Sequence, residues 1–233
     1  MPAAGSPARQ RAARRAGWRE CQPLELPPTL TGALAAFREN GYHGTTVRDI
    51  AGRVGVTVPA LYYHHGSKQG MLVALFDVAM NDLLLRLQLA VAEAGDDPEA
   101  RFRNMMEALV LHMTYRLDLA VLDSELRYLE SESRAHYAAL RAEVQRLLAS
   151  TVSEGMVTGA FSVQHPAETV RALLGMVLAI ANWYRSDGPL SPAELAERYV
   201  DIALCTVGAA PSDAPRSAGP RPVSSRATGR VSS

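Results

Sequence analysis

Thr46-Val47-Arg48-Asp49-Ile50-Ala51-Gly52-Arg53-Val54-Gly55-Val56-Thr57-Val58-Pro59-Ala60-Leu61-Tyr62-Tyr63-His64 reads as two short helices and the turn between them. Thr46 is a threonine cap with an acid, Asp49, at the third helical position, which approximates a capping box. Ile50 and Val54 are spaced to face inward, with Leu34 and Phe37 of a preceding helix as partners. Gly52 weakens this helix slightly. Gly55 ends it, because glycine permits the positive φ of a tight turn. Thr57 caps the next helix, and Pro59 is tolerated in its first turn. Two helices joined by a short glycine-containing turn make a helix-turn-helix, whose second helix enters the DNA major groove.

On that reading the face of 57–64 meets DNA. Thr57, Val58, Pro59, Ala60 and Tyr62 are available to base edges. Most are apolar, so readout leans on thymine methyl groups and duplex shape more than on bidentate hydrogen bonds. Thr46 and Arg48 stand at the start of the preceding helix, and Arg48 is placed for a strong guanine or phosphate contact. Tyr63, His64 and Lys68 are expected to hold phosphates, fixing register without reading sequence. The competing reading makes Tyr62 and Tyr63 packing residues and His64-His65 a solvated turn.

Lys68 is the single lysine among 24 Lys+Arg residues. Ser67 reads as an N-cap, so Lys68 falls in the first turn of the next helix. A cation there opposes the helix dipole unless an anion docks on the same free N–H groups.

Charge is segregated along a chain of 233 residues whose formal net charge is zero. Residues 1–70 carry nine basic groups against four acids, a net +5, and residues 208–233 carry +3. The stretch 71–207 is −8. A basic end on an acidic body suits one surface for a polyanion and another for something else. The composition, 48% apolar and 21% charged, is globular. No apolar run is long enough to span a membrane, and the basic N-terminus lacks a signal-peptide core, so a cytoplasmic location is expected. Cys21 and Cys205 are far apart and lack metal-ligand partners, so neither a disulfide scaffold nor a metal site is expected.

Residues 1–25, with Arg9, Arg11, Arg14, Arg15 and Arg19 in a loose row, are expected to form a basic disordered arm. Residues 208–233 are Pro/Ser/Gly/Arg-rich and are expected to be a disordered tail. Between them the pattern is all-α. A three-helix helix-turn-helix domain at 26–70 precedes a larger helical ligand-binding and dimerisation domain at 71–207. Helices are predicted near 28–40, 46–53, 58–64, 67–94, 98–116, 118–131, 133–157, 166–186 and 191–207. Ser191-Pro192-Ala193-Glu194 is a capping box with proline at its first helical position.

From Leu30 to Leu75 the chain resembles the TetR family of bacterial transcriptional regulators. The resemblance rests on Leu34-Ala35-Ala36-Phe37, Gly41-Tyr42, Thr45 through Ala51, Gly55-Val56-Thr57, Leu61-Tyr62-Tyr63-His64 and Ser67-Lys68. It implies that Val58, Pro59, Ala60 and Tyr62 face the groove, that Tyr63, His64 and Lys68 bind phosphates, and that Arg48 touches either. His65 departs from the aromatic or apolar residue usual there, and Pro27-Pro28 from the usual basic residues.

The body shows no Gly-rich phosphate loop, no Gly-x-Ser-x-Gly elbow and no His-Glu-x-x-His. An enzyme using His112 or His136 as base would lack a nucleophile–base–orienter set, so no catalytic residues and no cofactor are expected. Met105, Met106, Leu109, His112 and Met113 on one helix, with Leu126, Leu129, Tyr137 and Trp183, are candidates for an adaptable apolar ligand pocket. The predicted helix 166–186 is apolar nearly all round, which calls for cover on two sides. A second copy of the chain supplies it, through Leu174, Val177, Leu178, Leu195, Tyr199 and Ile202; the family resemblance likewise implies a four-helix dimer interface. Ser124 through Leu129, Arg141, Gly155, Gly159-Ala160-Phe161, Pro166 and Trp183-Tyr184-Arg185 resemble the family branch that governs fatty-acid or steroid breakdown and responds to acyl-CoA thioesters. The expected partners are therefore a double-stranded DNA operator, a small apolar ligand such as an acyl-CoA, and a second copy of the chain. The alternative is a constitutive DNA-binding regulator or activator without an effector. The operator sequence, the effector and the sign of regulation are not written in these residues.

Overall fold

The computed structural model describes residues 17–21 and 23–210. Among them the regular structure is helical: α1 (Pro28–Gly44), α2 (Val47–Val54), α3 (Val58–His65), α4 (Lys68–Ala94), α5 (Pro98–Tyr115), α6 (Leu117–Ala120), the 3₁₀ segment η1 (Val121–Tyr128), α7 (Ser131–Thr158), α8 (Pro166–Leu178), α9 (Ile180–Trp183) and α10 (Pro192–Thr206). None of these helices is long and apolar enough to cross a membrane.

Local caps set most of the boundaries. Asp49 N–H donates to Thr46 Oγ1 (3.2 Å) and Thr46 N–H donates to Asp49 Oδ2 (2.8 Å), closing a true capping box on α2. The same reciprocal pair joins Ser191 and Glu194 at the start of α10. Gly55 takes φ 70, ψ 29, the left-handed conformation that a side chain resists, and turns the chain from α2 toward α3. Phe37 and Ile50 are buried, as their spacing required. Gly32 is a less legible requirement: a Cβ there would stand 2.2 Å from Val54 Cγ1, so α1 and α2 cross where α1 has no side chain.

Two predicted helices come out differently. Residues 118–131 form one turn of α6 and then a 3₁₀ segment. Leu119 and Leu122, and then Leu126 and Leu129, are each three apart, and all but the half-buried Leu126 are buried. That spacing suits three residues per turn. The single helix predicted over 166–186 pauses at Ala179 and ends at Trp183. Val170, Leu173, Val177, Ile180 and Tyr184 are its buried line, and Tyr184 donates its hydroxyl to Leu190 O (3.1 Å), closing the loop into α10. The segment is thus buried along one stripe rather than all round.

The expected disordered arm is corrected over its C-terminal part. Residues 1–16 lie outside the described residues, but Trp18 is 2% exposed and Arg19 pairs with Glu93 and Glu107. Arg19 therefore belongs to the body's surface. At the other end, 211–233 lie outside the described residues, and Ala209 N–H still donates to Leu204 O (3.0 Å).

Candidate nucleic-acid interface and ligand cavity

The reading helix α3 presents a bare outer face. Tyr63 is 87% exposed and Tyr62 48%, and His64, Pro59 and Thr57 are exposed as well. Leu61 points inward at 0% and anchors the helix to the head's core, while Val58 and Ala60 are half-buried at its root. An exposed tyrosine pair is hard to explain as packing, and the geometry disfavours that reading. Thr57 Oγ1 accepts from Ala60 N–H (3.3 Å), so its hydroxyl already caps α3. Thr46 Oγ1 is likewise held within the α2 cap. Arg48 is exposed in the first turn of α2.

Lys68 does something its sequence position did not announce. Its ammonium donates to Tyr42 O (2.7 Å) and Thr45 O (2.9 Å) and lies 4.3 Å from the centre of the Tyr42 ring. Both carbonyls lie past Gly41, whose non-helical φ of 71 kinks α1, in the stretch that leads into α2, so two backbone oxygens rather than a helix pole receive the cation. Partial burial lowers the lysine's pKa, against a smaller opposing pull from Glu125. Two of its three N–H donors are thereby used within the chain, leaving one for a phosphate.

The head is fastened to the body by contacts between residues far apart in sequence. Arg38 pairs with Asp118 (3.0 Å), the His43 ring packs edge-on to Tyr128 (4.1 Å between centroids), and Gln69 Oε1 accepts from Glu130 N–H (3.1 Å). The unusual His65 finds a use here, with Nε2 2.8 Å from Thr29 Oγ1, joining α3 to the start of α1.

Inside the body, α4, α5, α7 and α8 line a cavity of about 90 Å³ that opens toward the exposed Arg141. On that measure it has room for roughly half a dozen water-sized groups. Of the residues expected to form a pocket, Leu109, His112, Met113 and Tyr137 line it. Met105 and Met106 are buried on α5 but outside the lining, and the Met105 sulfur accepts from Thr151 (3.4 Å). Leu126 and Leu129 also lie outside the lining, and Trp183 is 46% exposed on the far surface, stacked on Tyr199. Leu174, Val177 and Leu178, expected at a dimer interface, line the cavity, with Leu174 and Leu178 half-buried in the single chain. Val177 and Leu195 are each 2% exposed within a single chain, so they offer no surface to a partner. Half-buried Tyr199 and Ile202, 49% exposed, remain available, and Trp183 joins them.

Sequence reading missed the α4 wall, where Phe76, Met80 and Leu83 at i, i+4 and i+7 carried the signal. It also missed Arg116, which ends α5 and shares the cavity rim with His112 and Arg141. Behind them lies Asp82, whose Oδ2 accepts from Arg86 Nε (3.0 Å) and Arg116 Nη2 (3.2 Å). Burial works to raise this carboxyl's pKa, but His112, Arg86 and Arg116 outweigh it and hold it far below the usual carboxylate range. His112 Nδ1 stands 3.6 Å from the same oxygen, too long for a hydrogen bond, and has no other partner. Burial lowers the His112 pKa despite Asp82, so the ring is neutral near pH 7. The cavity therefore has apolar walls and one polar corner at His112, Arg116 and Arg141, with the buried His112 Nδ1 turned toward Asp82 behind it.

Two family models match this chain. "Bacterial regulatory proteins, tetR family" covers residues 30–75, the whole head beyond the first turn of α1, and "Tetracyclin repressor-like, C-terminal domain" covers 95–207. The solved structure of the TetR family regulator PfmR from Thermus thermophilus is 30% identical, spans 76% of this chain and 97% of its own, and superposes with a TM-score of 0.69. The chain belongs to the TetR family. It is a DNA-binding transcriptional regulator, not an enzyme. This regulator is also 28% identical over 193 residues to the transcriptional repressor KstR2 of Rhodococcus jostii, covering 80% of this chain and 89% of that one. It is 26% identical to AibR, solved with isovaleryl coenzyme A and operator DNA, covering 75% of this chain and 95% of that one with a TM-score of 0.67.

Proposed function

We propose that this regulator is a cytoplasmic, homodimeric repressor that a small acyl-CoA thioester releases from a pseudo-palindromic operator. The observation that carries the reading is the apolar cavity with its polar corner at His112, Arg116 and Arg141. Apolar walls take an acyl chain, and the guanidinium groups at the corner suit a thioester carbonyl and its phosphate-bearing remainder. At about 90 Å³ the cavity holds a short acyl group, and the bulk of a coenzyme would lie toward the exposed Arg141. AibR's complex with isovaleryl coenzyme A and operator DNA, and KstR2's role as a repressor, support this reading.

In this reading Tyr62, Val58, Pro59, Ala60 and Arg48 face bases, while Tyr63, His64, Thr46, Thr57 and the third donor of Lys68 face the backbone. Trp183, Tyr199 and Ile202 meet a second copy, and a two-fold dimer repeats the reading helix on a half-site one or more DNA turns away. The ligand acts only through its differential affinity for the two head spacings.

The test begins with duplexes selected by the purified protein from a random pool. Isovaleryl-CoA and longer acyl-CoAs are then titrated against the best duplex by fluorescence anisotropy. Saturable release by a thioester, and not by coenzyme A alone, is expected. Tight duplex binding that no thioester alters would leave a constitutive regulator instead.

A further inference from the structure

Residues 17–21 and 23–27 lie ahead of both stretches matched by the family models, yet they are built into the body. Trp18 is buried, and its indole N–H donates to Glu93 Oε2 (2.7 Å) near the C-terminal end of α4. Arg19 lies over the Trp18 ring (3.8 Å) and reaches Glu93, Glu107 and Asn104. Arg86, itself 6% exposed, donates through Nη1 to Trp18 O (2.8 Å) and Glu20 O (3.1 Å). Cys21, Leu24 and Leu26 then pack against the core before Pro27 and Pro28 open α1.

The segment thus runs back along α4, from its far end to the head. A turn in which Leu26 N–H donates to Leu24 O (2.9 Å) shortens the segment, and prolines at 23, 27 and 28 stiffen it. The head end of the segment leads one residue on to Thr29, which touches His65 on the reading helix.

The clamp at the body end shares its anchor with the cavity. One oxygen, Asp82 Oδ2, accepts from Arg86, which holds the segment, and from Arg116, which lines the cavity. Drawing Arg116 toward an anion in the cavity shifts that oxygen, and Arg86 with it.

We propose that residues 17–21 and 23–27 form a strap coupling the ligand cavity to the DNA-reading head, held by Trp18 and Arg86 and loosened through Asp82 when an anionic group engages Arg116. With the strap fastened, α1 and α3 are held in register with the body. With it loosened, the head pivots on its remaining contacts, Arg38–Asp118, His43–Tyr128 and Gln69–Glu130. The strap stands on geometry alone; its consequence for DNA rests on the regulator reading above.

The test is hydrogen–deuterium exchange of the full-length chain, ligand-free and DNA-free, comparing wild type with Trp18→Ala and Asp82→Asn. Both variants are expected to exchange faster, on the order of tenfold, at 17–27 and also across the start of α1 and through α3, with the α7 core around Leu148 unchanged. Faster exchange confined to 17–27 would overturn the coupling, and no change at 17–27 would overturn the docking itself. Should Trp18→Ala loosen the α7 core, Trp18→Phe, which keeps the packing and drops the Glu93 hydrogen bond, takes its place with the same two outcomes. No operator or thioester enters this experiment, so its failure is separate from that of the repressor reading, which the duplex titration decides.

Discussion

Replacing Lys68 by methionine keeps the apolar stem and removes the ammonium, which separates two roles that one residue carries. In the structure the ammonium donates to Tyr42 O and Thr45 O and lies over the Tyr42 ring. Charge-assisted hydrogen bonds contribute about 1.5–3 kcal/mol net, and an exposed cation–π contact about 0.5–1 kcal/mol. Lys68 is only partly buried, so the sum is discounted to about 2 kcal/mol. In a chain of this size that lowers the melting temperature by roughly 4–8 °C. A lysine that merely touched phosphate would leave the melting temperature alone and lower the slope of log K against log salt by about 0.9. The structure leaves one donor for that contact, so Lys68→Met should show both effects. The assays are calorimetry without DNA and anisotropy on the selected duplex across a salt series. A melting temperature shifted by less than about 1 °C would refute the reasoning that the Tyr42 and Thr45 carbonyls, rather than an outside anion, chiefly balance this cation.

Arg48→Ala should weaken operator binding and relax preference at one base position, read by repeating the duplex selection; unchanged preference would demote Arg48 to a backbone contact. Gly32→Ala places a Cβ where Val54 sits, so despite a better helix former it should destabilise the chain by about 1 kcal/mol and weaken DNA binding, seen in urea unfolding and anisotropy. Folded-state burial depresses the pKa of both His112 and His65, so the unfolded chain binds more protons in mild acid. Stability should therefore be level above about pH 7 and fall as pH drops through the ordinary histidine range, by up to about 1.4 kcal/mol per pH unit for each ring. His112→Gln should flatten that fall in melting temperature between neutral pH and mild acid. Trp183→Glu combined with Ile202→Glu places charges on the exposed α9–α10 face and should yield a folded monomer by light scattering; an intact dimer would place the interface elsewhere.

Much of the DNA-reading head was legible because its signals are local. A threonine three residues before an acid, a glycine where φ must be positive and a serine before the long helix each act within a turn of chain. The sequence order therefore states the structure. The sequence left Tyr62 and Tyr63 open between packing and exposure, and the structure decided it, since α3 buries only Leu61. The body was less legible. Its helices are apolar on several sides, and periodicity cannot say which apolar face meets a cavity, a core or a partner. Leu174, Val177 and Leu178 read as dimer residues and turned out to wall the cavity, while Trp183 read as pocket and faces outward.

From its residues alone, then, this chain determined a capped, all-helical architecture with a basic reading head on an acidic body. Those features depend on backbone conformation, turn chemistry and charge count, which neighbouring residues fix among themselves. Tertiary structure decided what each buried or charged group finds as a partner. It gave Lys68 the end of α1, gave Asp82 two arginines thirty residues apart, and brought Trp18 to Glu93 across seventy-five positions. Such pairings arise from the packing of whole helices, and the energy that selects them is spread over the core rather than written at either end of the contact.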